Sequence, residues 1–197
     1  MLFRSYVPLN ATLGFKASPV NGLWFNVFGG YRISKDELFC NLVDADGYYF
    51  THFLQDKAKT AYGGAELKYG YKDWFDASLK GTFYSWKTDN ENEELYLVTK
   101  PKFELNFYAE AKVFEGLKVN LGYEYVQRKE YVIEEGNSSK DFGLGNISNL
   151  SVGASYTFLK DLSVFGRVNN LLNKQYYYEY GYPAEKLNVL AGLSLAF

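Results

Sequence analysis

The sequence is poor in the residues that usually carry covalent or metal chemistry. Its 197 residues include one cysteine, one histidine and one methionine, and only four prolines. A single cysteine excludes an internal disulfide. No run approaches the roughly 18 apolar residues that a membrane helix needs. The formal net charge of -2 gives no sign of a nucleic-acid partner.

Aromatic residues and glycine are abundant instead, and they follow a period of two. The chain has 19 Tyr, 16 Phe, 3 Trp and 18 Gly. In the last segment, one face holds Val189, Ala191, Leu193, Leu195 and Phe197, and the other holds Leu190, Gly192, Ser194 and Ala196. This alternation predicts a strand with one apolar face. It recurs along the chain from Leu9 to Ala17 onward and predicts about nine strands.

The predicted strands form a repeat of hairpins in which short turns alternate with long connections. Short turns are expected at Ser18 to Gly22, Lys72 to Trp74, Phe114 to Gly116 and Leu159 to Asp161, and long loops at Lys35 to Asp56, Lys87 to Glu94 and Glu134 to Asn146. A propeller usually joins its strands by connections of similar length. The alternation here is typical of an antiparallel up-and-down transmembrane β-barrel, with short periplasmic turns and long extracellular loops.

A soluble all-β protein remains an alternative, because a period of two does not show which face meets water. Small residues are frequent on the apolar face, for example Gly63, Ala65, Ala77 and Gly81. They would pack poorly in a dry core, whereas hydrocarbon tolerates them. Aromatic residues also collect near both ends of the strands, as they do at membrane interfaces. Both features favour the membrane barrel.

The last 30 residues carry a more specific pattern. It consists of NNLLNKQYYY from Asn169, then GYPAE from Gly181, then an alternating strand that ends in Phe197. This combination resembles the C-terminus of TonB-dependent outer-membrane receptors. Lys186 and Leu187 stand where that family often has Gly-Arg, so a role tied to that arginine does not transfer.

The resemblance implies that residues 1–197 are the C-terminal part of a receptor barrel of roughly 22 strands and contain no plug domain. The implied localisation is the outer membrane of a Gram-negative bacterium. The implied function is TonB-energised uptake of a scarce solute such as a siderophore, a cobalamin or a glycan. Implied partners are membrane lipid, the barrel-assembly machinery, the solute, and TonB through the missing N-terminal part. Alternatives are a complete small porin or adhesin barrel, and a soluble all-β binding protein.

Candidate site residues fall into three groups, and no catalytic or metal site is predicted. Weak candidates for solute contact lie in the loops and in the run Tyr176 to Tyr182: Tyr48, Tyr49, His52, Tyr177, Tyr180 and Tyr182. The resemblance implies that Phe197 is the signal read during barrel assembly. Residues expected to face the lumen are Glu66, Lys68, Glu104, Lys112, Glu124 and Arg167.

Enzymatic and metal chemistry are not expected. His52 lies near Asp44, Asp46 and Asp56, but this spacing fits no standard zinc or calcium motif. His52 also lacks a nucleophile motif such as G-x-S-x-G. What the resemblance implies is a protein that binds and gates a solute, without a cofactor and without catalysing a reaction.

Overall fold

The computed structural model describes residues 5–42, 50–89, 93–129, 132–135, 138–141, 143–159, 162–179 and 182–195. Nine long or medium strands build the main sheet: β1 (Tyr6–Val20), β2 (Leu23–Leu42), β3 (Phe50–Tyr71), β4 (Phe75–Thr88), β5 (Pro101–Phe114), β6 (Leu117–Arg128), β9 (Ile147–Leu159), β10 (Leu162–Asn169) and β13 (Asn188–Leu195). The shorter elements are α1 (Glu93–Leu97), β7 (Val132–Glu135), β8 (Ser138–Asp141), β11 (Tyr177–Glu179) and β12 (Tyr182–Pro183). Within these ranges, no helix is long and apolar enough to span a membrane.

The main sheet is an antiparallel meander in the order β1-β2-β3-β4-β5-β6-β9-β10-β13. The hairpin β7-β8 lies in the connection between β6 and β9, and the hairpin β11-β12 in the connection between β10 and β13. Within the described residues, β1 pairs only with β2, and β13 pairs only with β10. These two strands are therefore the edges of the sheet. The predicted count of nine strands and their up-and-down order are confirmed.

The register separates apolar and polar side chains over the whole sheet. One row of residues that are paired across the strands from β1 to β9 consists of Phe15, Val27, Ala65, Gly81, Leu105, Tyr125 and Ser148; we call such a row a level. The adjacent level holds Lys16, Asn26, Glu66, Lys80, Asn106, Glu124 and Asn149. Successive levels point to opposite faces because a strand has a period of two. We call these surfaces the apolar face and the polar face.

The buried hydrophobic residues lie at one end of the sheet. The tight turns that the structure describes, at residues 21–22, 72–74 and 115–116, are at the opposite end, and the long connections are at the end where the core forms. Buried apolar side chains at this loop end are Phe39, Ala58, Tyr96, Val98, Val126, Leu144, Ile147 and Tyr176. Side chains in the middle of the apolar face remain open, with Leu13 83% exposed and Phe83 66% exposed. The loop end is therefore the packed part of the molecule.

Three of the predicted loops are wrong in part. Much of Lys35 to Asp56 is strand, because β2 continues to Leu42 and β3 begins at Phe50, and the two pair through Leu42↔Phe50. Lys87 to Glu94 includes the end of β4 and the start of α1, and Glu134 to Asn146 includes the end of β7 and the whole of β8. Apolar and polar residues follow each other in these segments without a regular period of two, so the pattern does not indicate strands. In the structure the extension of β2 is packed, since Phe39 lies against Phe53 of β3 and Tyr96 of α1.

Candidate functional site

The long connections converge on a cleft at the loop end of the sheet. The cleft has a volume of about 350 Å³. It is lined by side chains from β2 and β3, from the segment after α1, from the segment 143–146 and from β11: Leu38, Phe39, Cys40, His52, Thr99, Lys100, Leu144, Tyr178 and Glu179. Because parts of the chain more than 100 residues apart in sequence meet here, the cleft exists only in the folded sheet.

Helix α1 precedes the segment with Thr99 and Lys100 that lines the cleft, and it is anchored by Tyr96. Tyr96 is fully buried, with its ring 5.3 Å from that of Phe39 in an edge-on arrangement and 6.2 Å from that of Trp86. A helix of five residues is too short to be stable alone. The aromatic contacts therefore hold α1 against β2 and β4, and they fix the position of the segment that follows it.

Glu37 on β2 forms the polar part of the same anchor. Its carboxylate accepts hydrogen bonds from Tyr96 Oη at 2.9 Å and Ser34 Oγ at 3.1 Å, and it pairs with the Lys100 ammonium. Burial raises the pKa of Glu37, but Lys100 and the two hydroxyl groups together lower it below its ordinary value. Glu37 is therefore ionised at neutral pH and holds Lys100 at the edge of the cleft.

Cys40 and His52 face each other across β2 and β3 inside the cleft. Burial raises the pKa of the Cys40 thiol, and the negative charge of Glu179 raises it further. The thiol is therefore protonated at neutral pH and is a poor nucleophile. Among the described side chains, no three of His, Cys, Asp and Glu are placed to share a metal ion.

The last connection closes the far side of the cleft through Tyr178. Tyr178 Oη donates a hydrogen bond of 2.9 Å to Glu124 on the polar face of β6. Burial, together with this acceptor, raises the pKa of Tyr178 well above its ordinary value, so the hydroxyl stays protonated. Arg128 Nη1, at the end of β6, donates a hydrogen bond of 2.7 Å to Tyr177 O on β11. Strand β11 is thereby fixed over the sheet beside the cleft.

Of the predicted solute-contact residues that the structure describes, only His52 lines this cleft. Tyr177 packs against Val98 and Leu144 behind it, and Tyr182 on β12 is 74% exposed away from it. Tyr48, Tyr49 and Tyr180 lie outside the described residues, as do Asp44, Asp46 and the assembly-signal candidate Phe197. The sequence did not indicate Cys40, Lys100 or Glu179. Tyr178 belongs to the tyrosine run, but its spacing alone did not separate it from its neighbours.

The six residues predicted to face the lumen all lie on the polar face. Glu66 pairs with Lys68 at 3.0 Å, and Lys112 pairs with Asp73 at 3.3 Å. Glu104 accepts a hydrogen bond of 2.7 Å from Tyr84 Oη. Arg167 Nη2 lies 3.4 Å from Ser151 Oγ, and Glu124 holds Tyr178 as described above. Each of the six therefore has a partner within the sheet or its connections.

Comparison with solved structures places this fold. The pyoverdine outer membrane receptor FpvA from Pseudomonas aeruginosa matches 95% of this chain with a TM-score of 0.69 and 17% identity. The siderophore receptor PirA from Acinetobacter baumannii matches 95% of this chain with a TM-score of 0.65 and 16% identity. The copper transporter OprC matches 95% of this chain with a TM-score of 0.62 and 11% identity. The fold is that of the barrel of TonB-dependent outer-membrane receptors.

The receptor-barrel fold covers nearly the whole of this chain but only part of the solved proteins. The chain spans 29% of FpvA and 31% each of PirA and OprC. No family model and no curated protein matches the sequence. At identities below 20%, the likeness concerns the receptor-barrel fold and not the residues of the cleft.

Proposed function

We propose that this chain is the C-terminal part of the barrel of an outer-membrane receptor that takes up a scarce solute. The observation that carries the proposal is the separation of the two faces of a nine-stranded receptor-barrel sheet. In water, the apolar face would be a large aggregation surface. Against hydrocarbon it is stable, since barrel strands turn their apolar side chains to lipid and their polar side chains to the lumen.

The direction of the barrel follows from the two kinds of connection. Strands of about 9 to 11 residues span a bilayer, whereas β2 has 20 residues and β3 has 22. The loop-end halves of β2 and β3 therefore project beyond the membrane and carry the cleft. We assign this end to the extracellular side and the tight turns to the periplasm. The polar face, with its six predicted residues, then lines the lumen.

The cleft is the part of this chain that we assign to solute contact. It offers aromatic rings, a cation and a carboxylate in one concave surface, and it contains no group activated for catalysis. The neighbouring structures are named as receptors and transporters. We therefore propose binding and gating and not an enzymatic reaction. The candidate solutes remain a siderophore, a cobalamin or a glycan.

The remaining partners follow from the receptor assignment. A plug domain and the segment that contacts TonB would belong to a part of the protein outside residues 1–197. Lipid would cover the apolar face, and the assembly machinery would recognise the end of the chain at Phe197. A complete small barrel would require β1 and β13 to pair with each other, whereas in the described residues each pairs on one side only.

Labelling from outside the cell tests the assignment of the two ends. Glu93 begins α1 at the loop end, and Asp73 lies in a tight turn at the other end. In a Cys40→Ser background, we expect Glu93→Cys in the full-length protein to react with an impermeant maleimide on intact cells. Asp73→Cys should react only after the outer membrane is permeabilised. The opposite pattern, or equal labelling of both in intact cells, would contradict the orientation.

A further inference from the structure

The polar face carries a second cavity, separate from the cleft, on the wall formed by β1 to β4. Its volume is about 290 Å³. The residues that line it include the aromatic side chains Phe28, Tyr62, Tyr84 and Trp86, the cations Arg32 and Lys80, and the buried hydroxyl residues Thr60 and Thr82. We call this cavity the wall recess. None of the predicted solute-contact residues that the structure describes belongs to its lining.

The aromatic rings of the wall recess form a continuous surface. The rings of Tyr62 and Tyr84 are 6.3 Å apart, and those of Tyr84 and Trp86 are 6.1 Å apart and nearly parallel. Trp86 Nε1 donates a hydrogen bond of 2.7 Å to Pro101 O, which fixes the indole. An ordered row of rings of this kind can stack on a planar aromatic group.

Two glycines lie beneath rings of the wall recess. A Cβ at Gly30 would lie 2.5 Å from Tyr62 Cζ and 2.7 Å from Ala11 O, and a Cβ at Gly64 would lie 2.3 Å from Gly81 O and 2.8 Å from Phe28 Cζ. A larger residue at either position would therefore clash with the backbone of a neighbouring strand as well as with a ring. The close approach of these rings to the sheet depends on the absence of a side chain at both positions.

The charges of the wall recess are unbalanced. Among the described residues that line it, none is acidic, and no described carboxylate forms an ion pair with Arg32 or Lys80. Glu66 faces Lys80 across the strands but pairs with Lys68, and Glu104 is bound by Tyr84 Oη. Lys80 Nζ lies 5.5 Å from the centre of the Phe28 ring. Two positive charges therefore remain available beside the aromatic row.

We infer that the wall recess binds an aromatic carboxylate group carried by the transported solute. The aromatic row stacks on the ring, and Arg32 and Lys80 hold the anion. Arg is suited to a carboxylate because its guanidinium can donate two parallel hydrogen bonds. The volume is at the lower limit for small-molecule pockets, so the recess accommodates one ring-bearing group. This inference rests on the proposed receptor function and extends it to the class of solute.

Quenching of Trp86 fluorescence tests the inference with the full-length protein in detergent micelles. The probes are benzoate, neutral benzamide and non-aromatic cyclohexanecarboxylate. We expect saturable quenching by benzoate and binding weaker by about tenfold or more for the other two probes, since each lacks one of the two interactions. The benzoate signal should disappear in Trp86→Phe, which assigns it to this site.

The variant pair Arg32→Gln/Lys80→Gln should weaken benzoate binding by about tenfold or more. Lys16→Gln is the matched control, because Lys16 lies on the same polar face but does not line the recess. Equal binding of benzoate and benzamide, or an unchanged affinity in the double variant, would overturn the inference. Failure of benzoate to quench would also overturn it. If the neutral quencher acrylamide likewise failed to reach Trp86, the recess would be filled by protein.

The receptor function is tested separately, by the folded state of the barrel in the detergent preparation and by the maleimide labelling on cells. A folded barrel resists unfolding by dodecyl sulfate, so in gel electrophoresis it migrates differently before and after boiling. If the barrel is folded and the maleimide pattern is as expected, a negative benzoate result removes the wall-recess inference alone. If the barrel is not folded or the labelling pattern is reversed, the proposed receptor function fails first.

Discussion

Replacing Asn170 by alanine is expected to destabilise the end of the sheet by about 4 kcal/mol. Asn170 is almost fully buried between β10 and β13. Its Nδ2 donates to Lys174 O at 2.7 Å and to Glu185 O at 3.1 Å, and its Oδ1 accepts from Lys174 N at 3.2 Å. Each lost hydrogen bond removes about 1 kcal/mol. Alanine at its positive φ of 49° costs about 1 kcal/mol more.

Asn173→Ala is a matched control for the backbone contribution. Asn173 has nearly the same φ, 50°, but it is exposed and its Oδ1 accepts one hydrogen bond, from Leu187 N at 3.2 Å. We expect a loss of about 2 kcal/mol. The measurement is unfolding of the barrel in urea. The folded fraction is read from its altered migration in gel electrophoresis of unboiled samples. Equal losses in the two variants would show that the three side-chain bonds of Asn170 contribute no more than the single bond of Asn173, which would contradict the prediction.

The Asn170 substitution should also lower the amount of assembled protein in the outer membrane. Asn170 joins the end of β10 to the segment before β13, and β13 is an edge strand of the sheet. Loosening this connection releases the strand that must pair elsewhere for a barrel to close. We therefore expect less assembled Asn170→Ala protein than Asn173→Ala protein in outer-membrane fractions.

Replacing Tyr96 by alanine is expected to detach α1 and open the cleft while the sheet stays folded. Removing a large buried aromatic side chain costs about 3 to 5 kcal/mol, which exceeds what a five-residue helix can supply by itself. Hydrogen exchange of residues 93–100 should become much faster, and exchange in β3 and β4 should be unchanged. Solute binding that depends on Thr99 and Lys100 should be lost.

Tyr96→Phe separates ring packing from the hydroxyl group. It keeps the contacts with Phe39 and Trp86 and removes only the hydrogen bond to Glu37. We expect a smaller effect, about 1 to 2 kcal/mol, since Lys100 and Ser34 still hold the carboxylate. If Tyr96→Ala left the exchange of residues 93–100 unchanged, α1 would not be anchored as described.

The sheet was predictable because the sequence pattern of each strand and each short turn lies within a few consecutive residues. Alternation at Phe75, Ala77 and Leu79 indicates a strand and its faces directly, and the short turns set which strands are neighbours. The extensions of β2 and β3 were missed because apolar residues are adjacent there, as in Leu38-Phe39 and Phe53-Leu54, and do not alternate with polar ones. Helix α1 was missed for a similar reason, since five residues are too few to show a helical repeat.

The cleft was harder to predict because its contacts are distant in sequence. Glu37 and Lys100 are 63 residues apart, and Glu124 and Tyr178 are 54 apart. Their pairing depends on the order of the strands and on where each connection folds back. The Asn169 to Asn173 motif was visible as a resemblance. Its structural reason, a buried asparagine that bonds two segments of backbone, appears only in three dimensions.

The central claim is that the apolar face contacts hydrocarbon and the polar face contacts water. Spin labels at successive positions of β4, from Ser78 to Phe83, test it in the full-length protein reconstituted in lipid vesicles in a Cys40→Ser background. Labels at Leu79, Gly81 and Phe83 should be relaxed by oxygen, which concentrates in lipid, and labels at Ser78, Lys80 and Thr82 by a water-soluble nickel chelate. An inverted alternation, or none, would contradict the account.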